Sequence, residues 1–383
     1  MVSAIWDSVT PHRGPRINLV NLAVVSCANG LGHLKRVVRL VITLIDRLHV
    51  ESLTLFCEPE DSKQIENWDK YFRLKERRNF TLVPVQLPMK WSPEADFYGE
   101  WLTSWHTVMS SWRLKNFDAV LSDNLVEPLF YSNHVVLSGS FFWHDVLSEA
   151  YGKNPDVEKY ARQCREVLAS SQPHIIANRY FVTPAVCAQG NVHKIGLIHF
   201  SKVNESRSTA SRRKRAVIAL GGANAAPDLI SQLTRAIQAL NQNGVEVFAP
   251  EGLCQILAKE GTPVQAFDFW ADEFDGMDLA IVRGGLGTIS DCVASRLPML
   301  FVNDPKPEIQ FNQQRVQQLG IGLALDRVSD GSLDFSRNTE LFRRMSENMA
   351  GLDLNGEVEG SRVLANLWRR KSSRVPDKKF SIR

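Results

Sequence analysis

Short apolar runs alternate with amphipathic stretches along most of this chain. Leu22-Ala23-Val24-Val25-Ser26-Cys27 reads as a buried strand, and the 3.6-residue period of 33–48 as a helix behind it. The same rules predict strands at 52–57, 81–86, 118–122, 134–138 and 174–177. Helical patterns fall at 60–76, 97–115 and 144–170. After a polar stretch at 201–215 the alternation restarts at Ala216. It continues with helix 227–242, strand 245–249, helix 252–259, strands 264–267 and 279–282, helix 287–295, strand 298–302 and helix 308–318. Helices at 336–350 and 358–371 close the pattern. Strand–helix alternation of this kind predicts parallel sheets covered by helices on both faces, an α/β class. At 383 residues the chain exceeds one typical core, and roughly 150 residues per domain predicts two. The expected division is 1–205, a basic linker at 206–215, 216–371, and a basic tail at 372–383.

Two glycine-rich turns lie more than two hundred residues apart. The first follows strand 22–27 and reads Ala28-Asn29-Gly30-Leu31-Gly32-His33-Leu34-Lys35-Arg36. The second follows strand 279–282 and reads Arg283-Gly284-Gly285-Leu286-Gly287-Thr288. A strand, a glycine turn and a helix N-terminus leave unpaired backbone N–H groups and the positive end of a helix dipole facing one point, which suits an anion. Neither turn carries the G-x-G-x-x-G dinucleotide fingerprint, and no P-loop lysine motif is present. Two such turns in two halves predict two doubly wound domains around one cleft, with a phosphorylated substrate between them.

The pattern G-x-G-H-x-x-R (Gly30 to Arg36) and the pattern G-G-x-G-T-x-x-[DE] (Gly284 to Asp291), followed by Gln310-Phe311-Asn312, resemble nucleotide-sugar enzymes of the GT-B type. They are similar to the peptidoglycan N-acetylglucosaminyltransferase family and to the UDP-sugar hydrolase of the pseudaminic acid pathway. The resemblance covers 22–40 and 216–325. It implies two Rossmann-like domains facing a central cleft, acceptor side N-terminal and donor side C-terminal. It also implies that Arg283, Gly284, Gly285, Gly287 and Thr288 hold the donor diphosphate with Gly30 and Gly32 opposite. Gly221 and Gly222 then lie beside the phosphates, Phe269 in the nucleobase loop, and Gln310 and Asn312 at the donor sugar. In those families an acidic residue one turn after the threonine takes the ribose hydroxyls. It is usually Glu; here it is Asp291, one methylene shorter.

Two side chains, His33 and Asp123, are candidates for the chemistry, and Arg36, His144 and Asp145 are acceptor-side candidates. His33 stands in the first turn of its helix and is a candidate general base, against the plainer role of a packing or capping histidine. Arg36 follows on the same helix face and suits a phosphate or a carboxylate, while Lys35 points elsewhere and reads as solvated. Asp123 ends a strand in Ser122-Asp123-Asn124, at the edge where α/β proteins bind ligands, and is the alternative base. His144 and Asp145 follow the next strand as acceptor-side candidates, with a helix N-cap as their plainer role. Phe97, Trp101, Trp105, Met109 and Trp112 recur at helical spacing and read first as a core stripe. A membrane-interface face handling a lipid-linked acceptor is the other use of such a stripe.

Composition narrows the picture without changing it. Hydrophobic content of 44% with 23% charged residues is ordinary for a globular protein, so disorder is excluded as a class. The net charge of +3 does not call for nucleic acid. Six cysteines without a C-x-x-C pair suggest reduced thiols of a cytoplasmic protein, with no metal site and no cofactor expected. No signal-peptide core and no run of eighteen apolar residues is seen, which leaves peripheral contact at the inner membrane face as the membrane role. Three functions remain open: an inverting, metal-independent transferase that moves a sugar from a UDP-sugar to a glycan or lipid-linked acceptor in bacterial-type glycoconjugate synthesis, a UDP-sugar hydrolase, and a catalytically silent sugar-nucleotide-binding scaffold.

Overall fold

The strand at Val20–Val25 (β1) alternates its side chains between two apolar layers: Leu22 and Val24 join one core, Ala23 and Val25 the other. A strand buried on both faces must be apolar throughout, and its position at the centre of a sheet follows. The computed structural model describes residues 19–27, 31–66, 68–85, 107–201, 203, 214–220, 227–268, 274, 276–327 and 335–372.

The first domain continues with α1 (Leu31–Ile45), β2 (Val50–Cys57), α2 (Pro59–Ile65), α3 (Asp69–Lys75), β3 (Phe80–Pro84) and a helix α4 whose described part is 107–111. Then come β4 (Ala119–Asp123), β5 (Val135–Ser138), α5 (Trp143–Tyr151), α6 (Pro155–Ser171), β6 (His174–Asn178), α7 (Pro184–Cys187) and β7 (Val192–Ile195). Its seven strands are parallel in the order β3-β2-β1-β4-β5-β6-β7.

The second domain holds β8 (Arg215–Ala219), α8 (Pro227–Gln242), β9 (Glu246–Ala249), α9 (Glu251–Lys259), β10 (Gln265–Ala266), β11 (Leu279–Val282), α10 (Leu286–Ala294), β12 (Met299–Phe301), α11 (Pro307–Gln318), β13 (Gly322–Ala324) and α12 (Phe335–Ala350). Its six strands are parallel in the order β10-β9-β8-β11-β12-β13. Both sheets therefore reverse direction beside their central strand, at β1/β4 and at β8/β11. Ligands of open α/β sheets bind outside the carboxyl ends of the strands at such a switch point.

β7 and β13 lie outside the strands expected from the sequence. Of the aromatic stripe, Met109 and Trp112 are buried and Trp112 stacks on Phe56 with ring centroids 4.6 Å apart, which is a core role. Phe97, Trp101 and Trp105 lie outside the described residues, as do linker residues 206–213 and tail residues 373–383. Among the described residues no helix is long and apolar enough to cross a membrane.

The last helix, α13 (Gly356–Ser372), was grouped with the second domain by sequence order. It lies along α1 of the first domain, where Leu364, Ala365 and Trp368 enter the same core as Leu22 and Val24. Arg39 pairs with Glu357, and Arg47 Nε donates to Ser361 Oγ at 2.9 Å. The chain thus crosses between the domains twice, and the crossings are hydrogen-bonded to each other. Leu197 N–H donates to Asp353 O at 2.8 Å and Gly356 N–H to Leu197 O at 3.1 Å. Arg179 bridges Asp353 (3.1 Å) and Glu359 (2.6 Å), and Glu359 also accepts from Gly196 N–H at 2.8 Å. The approach needs glycine, since a Cβ on Gly356 would lie 2.3 Å from Gly196 O. We expect Gly356→Ala to cost about 1–3 kcal/mol, as overpacking against rigid backbone does. Gly190→Ala, where a Cβ would meet nothing within 4 Å, should leave the thermal midpoint nearly unchanged. Equal midpoints for the two variants would disprove the tight crossing.

Candidate functional site

At the switch point of the first sheet β1 and β4 run side by side, with Val25 paired to Ser122. His33 is the third residue of α1 and Asp123 the last of β4. Topology brings them together across 90 residues of chain. His33 Nδ1 lies 2.7 Å from Asp123 Oδ2. Arg36, one turn along α1, places Nε 3.1 Å and Nη2 2.6 Å from the other oxygen, Oδ1. Asp123 has no exposed surface. Burial alone would push its carboxyl up; the Arg36 charge and the hydrogen bonds from His33 and Arg36 outweigh that and hold it below the ordinary carboxylate range.

The next residue, Asn124, stands in the left-handed region at φ 54° and accepts from Arg36 Nη2 at 3.2 Å. Asn is one of the few side chains that tolerates this conformation. Its own N–H donates to Ser138 O at 2.7 Å, and its Oδ1 occupies the space beside Gly139, where a Cβ would come within 2.1 Å. The site is thus fixed to β5 as well as to β4.

At the switch point of the second sheet, β11 passes into Arg283-Gly284-Gly285 and α10. Gly284 has φ 118°, a conformation that suits glycine. Gly285 caps α10 with no side-chain hydrogen bond, so no side chain of the cap occupies the helix N-terminus. The turn is braced from beneath by α11. Asn312 Nδ2 donates to Gly284 O at 3.0 Å, and Gln313 Nε2 to Arg283 O at 2.7 Å and Val302 O at 3.0 Å. Arg283 itself pairs with Asp304.

The two helix N-termini face each other. A Cβ on Gly287 would stand 3.7 Å from Gly32 Cα. The cleft beside this contact is lined by Gly32, Arg36, Ser140, Asn178, Gly287 and Ser290, with Ile176, Ile195, Ile198, Phe200 and Leu286 as its apolar wall. Two positive helix ends beside one cleft favour a negatively charged occupant.

Other residues singled out from the sequence have surroundings that only the folded chain shows. Lys35 is half-buried, not solvated: its ammonium lies 5.6 Å from the Phe200 ring centroid, and burial lowers its pKa against the pull of Asp291. Asp291, expected at a ribose, uses Oδ1 to accept from the interdomain backbone, at 2.5 Å from Phe200 N and 3.1 Å from Ser201 N. Gln310 is exposed, whereas Asn312 is buried under the Gly284 turn. Thr288 is half-buried in the first turn of α10.

His144 is buried and stacked on Phe142, with its Nδ1 unpartnered and its pKa lowered to about 3 by burial. Burial raises the neighbouring Asp145 carboxyl. Both stand on α5 and neither lines the cleft. Gly30, Gly221, Gly222 and Phe269 lie outside the described residues. Glu308, in the first turn of α11, is a further carboxylate of the site that was not singled out from the sequence. Burial raises its carboxyl, opposed by His33 and Arg36 of the first domain and by Arg283 and Lys306 beside it.

Asp291 carries a pH signature. Burial is the main cause that raises its carboxyl to about 6, only partly opposed by the linker amides and Lys35. A pKa raised on folding stabilises the native state fully below the unfolded value and loses that contribution as pH rises through the folded one. Asp291→Asn keeps an oxygen for both N–H donors and removes the charge. The thermal-midpoint difference between variant and wild type should therefore move in favour of the variant as pH rises from about 4 to 7. A difference independent of pH would contradict the burial of this carboxyl.

No protein-family model matches this chain, and no curated protein sequence does. Solved structures do match it. The glycosyltransferase of kitacinnamycin superposes with a TM-score of 0.64 at 17% identity, over 93% of this chain and 100% of that one. The glycosyltransferase VinC, solved with dTDP, gives 0.54 at 15% identity, over 90% and 100%. LpCGTa, solved with UDP, gives 0.52 at 12% identity, over 92% and 95%. The two parallel sheets, their helices and their strand order are accordingly those of the GT-B fold.

Proposed function

We propose that this protein transfers a sugar from a nucleoside diphosphate donor to a hydroxyl of an acceptor, with inversion and without a metal ion. One observation carries the reading: His33, paired with Asp123 on the first domain, directly follows Gly32, which meets Gly287 in the glycine-capped first turn of α10 on the second. A base on one wall and an anion cradle on the other are what displacement at an anomeric carbon needs. Fold neighbours solved with dTDP and UDP support a nucleotide in this role.

In the proposed reaction the first domain binds the acceptor and the second the donor. Asp123 accepts the Nδ1–H of His33, so Nε2 faces the cleft as the base. Nε2 takes the proton of the acceptor hydroxyl as its oxygen attacks the anomeric carbon. The bond from that carbon to the diphosphate oxygen breaks on the opposite side. The departing diphosphate takes up the bond electrons next to the free N–H groups of α10, whose dipole offsets the new charge. Arg283 and Lys306 add positive charge beside the same turn. The uridine base, the hexosyl group and a glycan or lipid-linked acceptor of the cell envelope rest on the G-x-G-H-x-x-R and G-G-x-G-T patterns. So does a cytoplasmic place with peripheral membrane contact.

His33→Ala should lower kcat about 10²–10⁴-fold, the usual share of a general base, and leave donor affinity within a few-fold. Unchanged turnover with much weaker donor binding would make His33 a donor ligand. Free sugar released as fast without acceptor as with it would make the protein a hydrolase, because water then does the acceptor's part. Nucleotide binding with no turnover on any acceptor would leave the silent scaffold. Turnover should also survive EDTA, because the helix N-terminus already supplies positive potential at the leaving group. Complete loss restored by one divalent ion would overturn the metal-free part.

A further inference from the structure

Two contacts on Nδ1 of His33 bear on which imidazole nitrogen carries the proton. Nδ1 lies 2.7 Å from a carboxylate oxygen and 3.1 Å from Arg36 Nη2. The first contact asks Nδ1 to donate, the second asks it to accept. The carboxylate decides between them: ionised Asp123 can only accept, so at 2.7 Å Nδ1 carries the hydrogen and donates it to Oδ2, and Nε2 is bare. Arg36 is compatible with this, because the two N–H bonds of Nη2 have two oxygens to serve, Asp123 Oδ1 at 2.6 Å and Asn124 Oδ1 at 3.2 Å, and need nothing from Nδ1. The opposite tautomer would set two lone pairs against each other at 2.7 Å.

Arg36 also divides the carboxylate. Its Nε and Nη2 both engage Oδ1, so Oδ2 is left to the imidazole. Asn124 is held in place by the Ser138 carbonyl and by its fit beside Gly139, which fixes where the second hydrogen of Nη2 goes. Without Arg36, Oδ1 loses both of its charged donors and nothing confines the imidazole to Oδ2. The buried carboxyl can then take up a proton and donate it to Nδ1, or hold His33 as an imidazolium, and each of these removes the bare nitrogen.

We propose that Arg36 is a positioning residue that locks Asp123 and His33 into the one hydrogen-bonding arrangement in which Nε2 of His33 is free to accept a proton. This rests on the reading of His33 as the base, and it goes beyond that reading by assigning the tautomer to a third side chain. The charged groups that face the pair are Arg36 on α1 and Glu308 on α11.

The test uses the full chain with ¹⁵N-labelled histidine. The His33 ring signals are identified among the nine histidines by their loss in His33→Ala. The wild type at pH 7.5 should show a protonated Nδ1 and a bare Nε2. Arg36→Ala should lose that pattern, either to an imidazolium or to a mixture of tautomers. In the transfer assay Arg36→Ala should lower kcat about 10²-fold or more, with donor KM within about three-fold, as loss of a general base does. Guanidinium added at millimolar concentration should restore part of the activity to Arg36→Ala and none to His33→Ala. If Arg36→Ala fails to fold, Arg36→Lys replaces it: lysine keeps the charge but cannot set two donors on Oδ1, so kcat should still fall and the tautomer pattern still broaden. A wild-type tautomer pattern and kcat in a folded Arg36 variant would overturn the proposal. If no donor and acceptor pair is turned over by the wild type, the proposed function fails, while the imidazole spectra still decide the role of Arg36.

Discussion

A carboxylate with no exposed surface cannot stay ionised by itself. Desolvation of a bare buried charge costs more than a protein can sustain, so the group must be paired or take up a proton. Asp123 is such a group, at the carboxyl end of the central strand β4. Its partners come from one turn of α1, where His33 and Arg36 stand three residues apart on one helix face. That requirement fixes how α1 leaves β1, because only one rotation of the helix brings both side chains over β4. It also directs the N-terminus of α1 toward the second domain. The position of the candidate base is in this sense a consequence of charge pairing inside the first domain.

The second domain meets that edge through a short list of contacts. Gly287 approaches Gly32 with no side chain between them. Asp291, one turn further along α10, holds the backbone of Phe200 and Ser201 where the chain passes between domains. Phe200 in turn lies against Lys35 and Trp68 of the first domain. Behind the cleft the two crossings of the chain are bonded to one another, and α13 is seated on α1. The helix that carries His33 is therefore supported on one side by its own sheet and on another by the end of the chain. A site assembled from two domains needs such ties to keep its walls in register.

Much of this was legible in the sequence, for identifiable reasons. β1 and β11 are apolar runs of strand length that end in glycine turns, and a strand, a turn and a helix start are local features. Both turns, His33, Arg36 and Asp123 could be named without coordinates. The pairing of His33 with Asp123 could not, because it joins residues 90 apart, and each looked like an alternative to the other. β7 was missed because Val-His-Lys-Ile has only two apolar residues, and β13 because Gly-Leu-Ala is only three residues long. Periodicity showed that α13 has an apolar face but not which domain covers it. Lys35 looked solvated because its neighbours, Phe200 and Asp291, are far away in sequence. Gln310 and Asn312 were taken together, yet residues two apart on a helix point to different sides, so one is exposed and the other supports Gly284.

The central claim is that a nucleoside diphosphate sits against the N-terminus of α10, facing His33. Backbone hydrogen exchange measured with and without UDP or dTDP tests it most directly, since it reads the individual amides and needs no acceptor. The account predicts slower exchange at Leu286–Ile289, and at Gly32 and His33 across the cleft, on saturation with the nucleotide. Unchanged exchange at both helix starts, or protection confined to another part of the molecule, would contradict it.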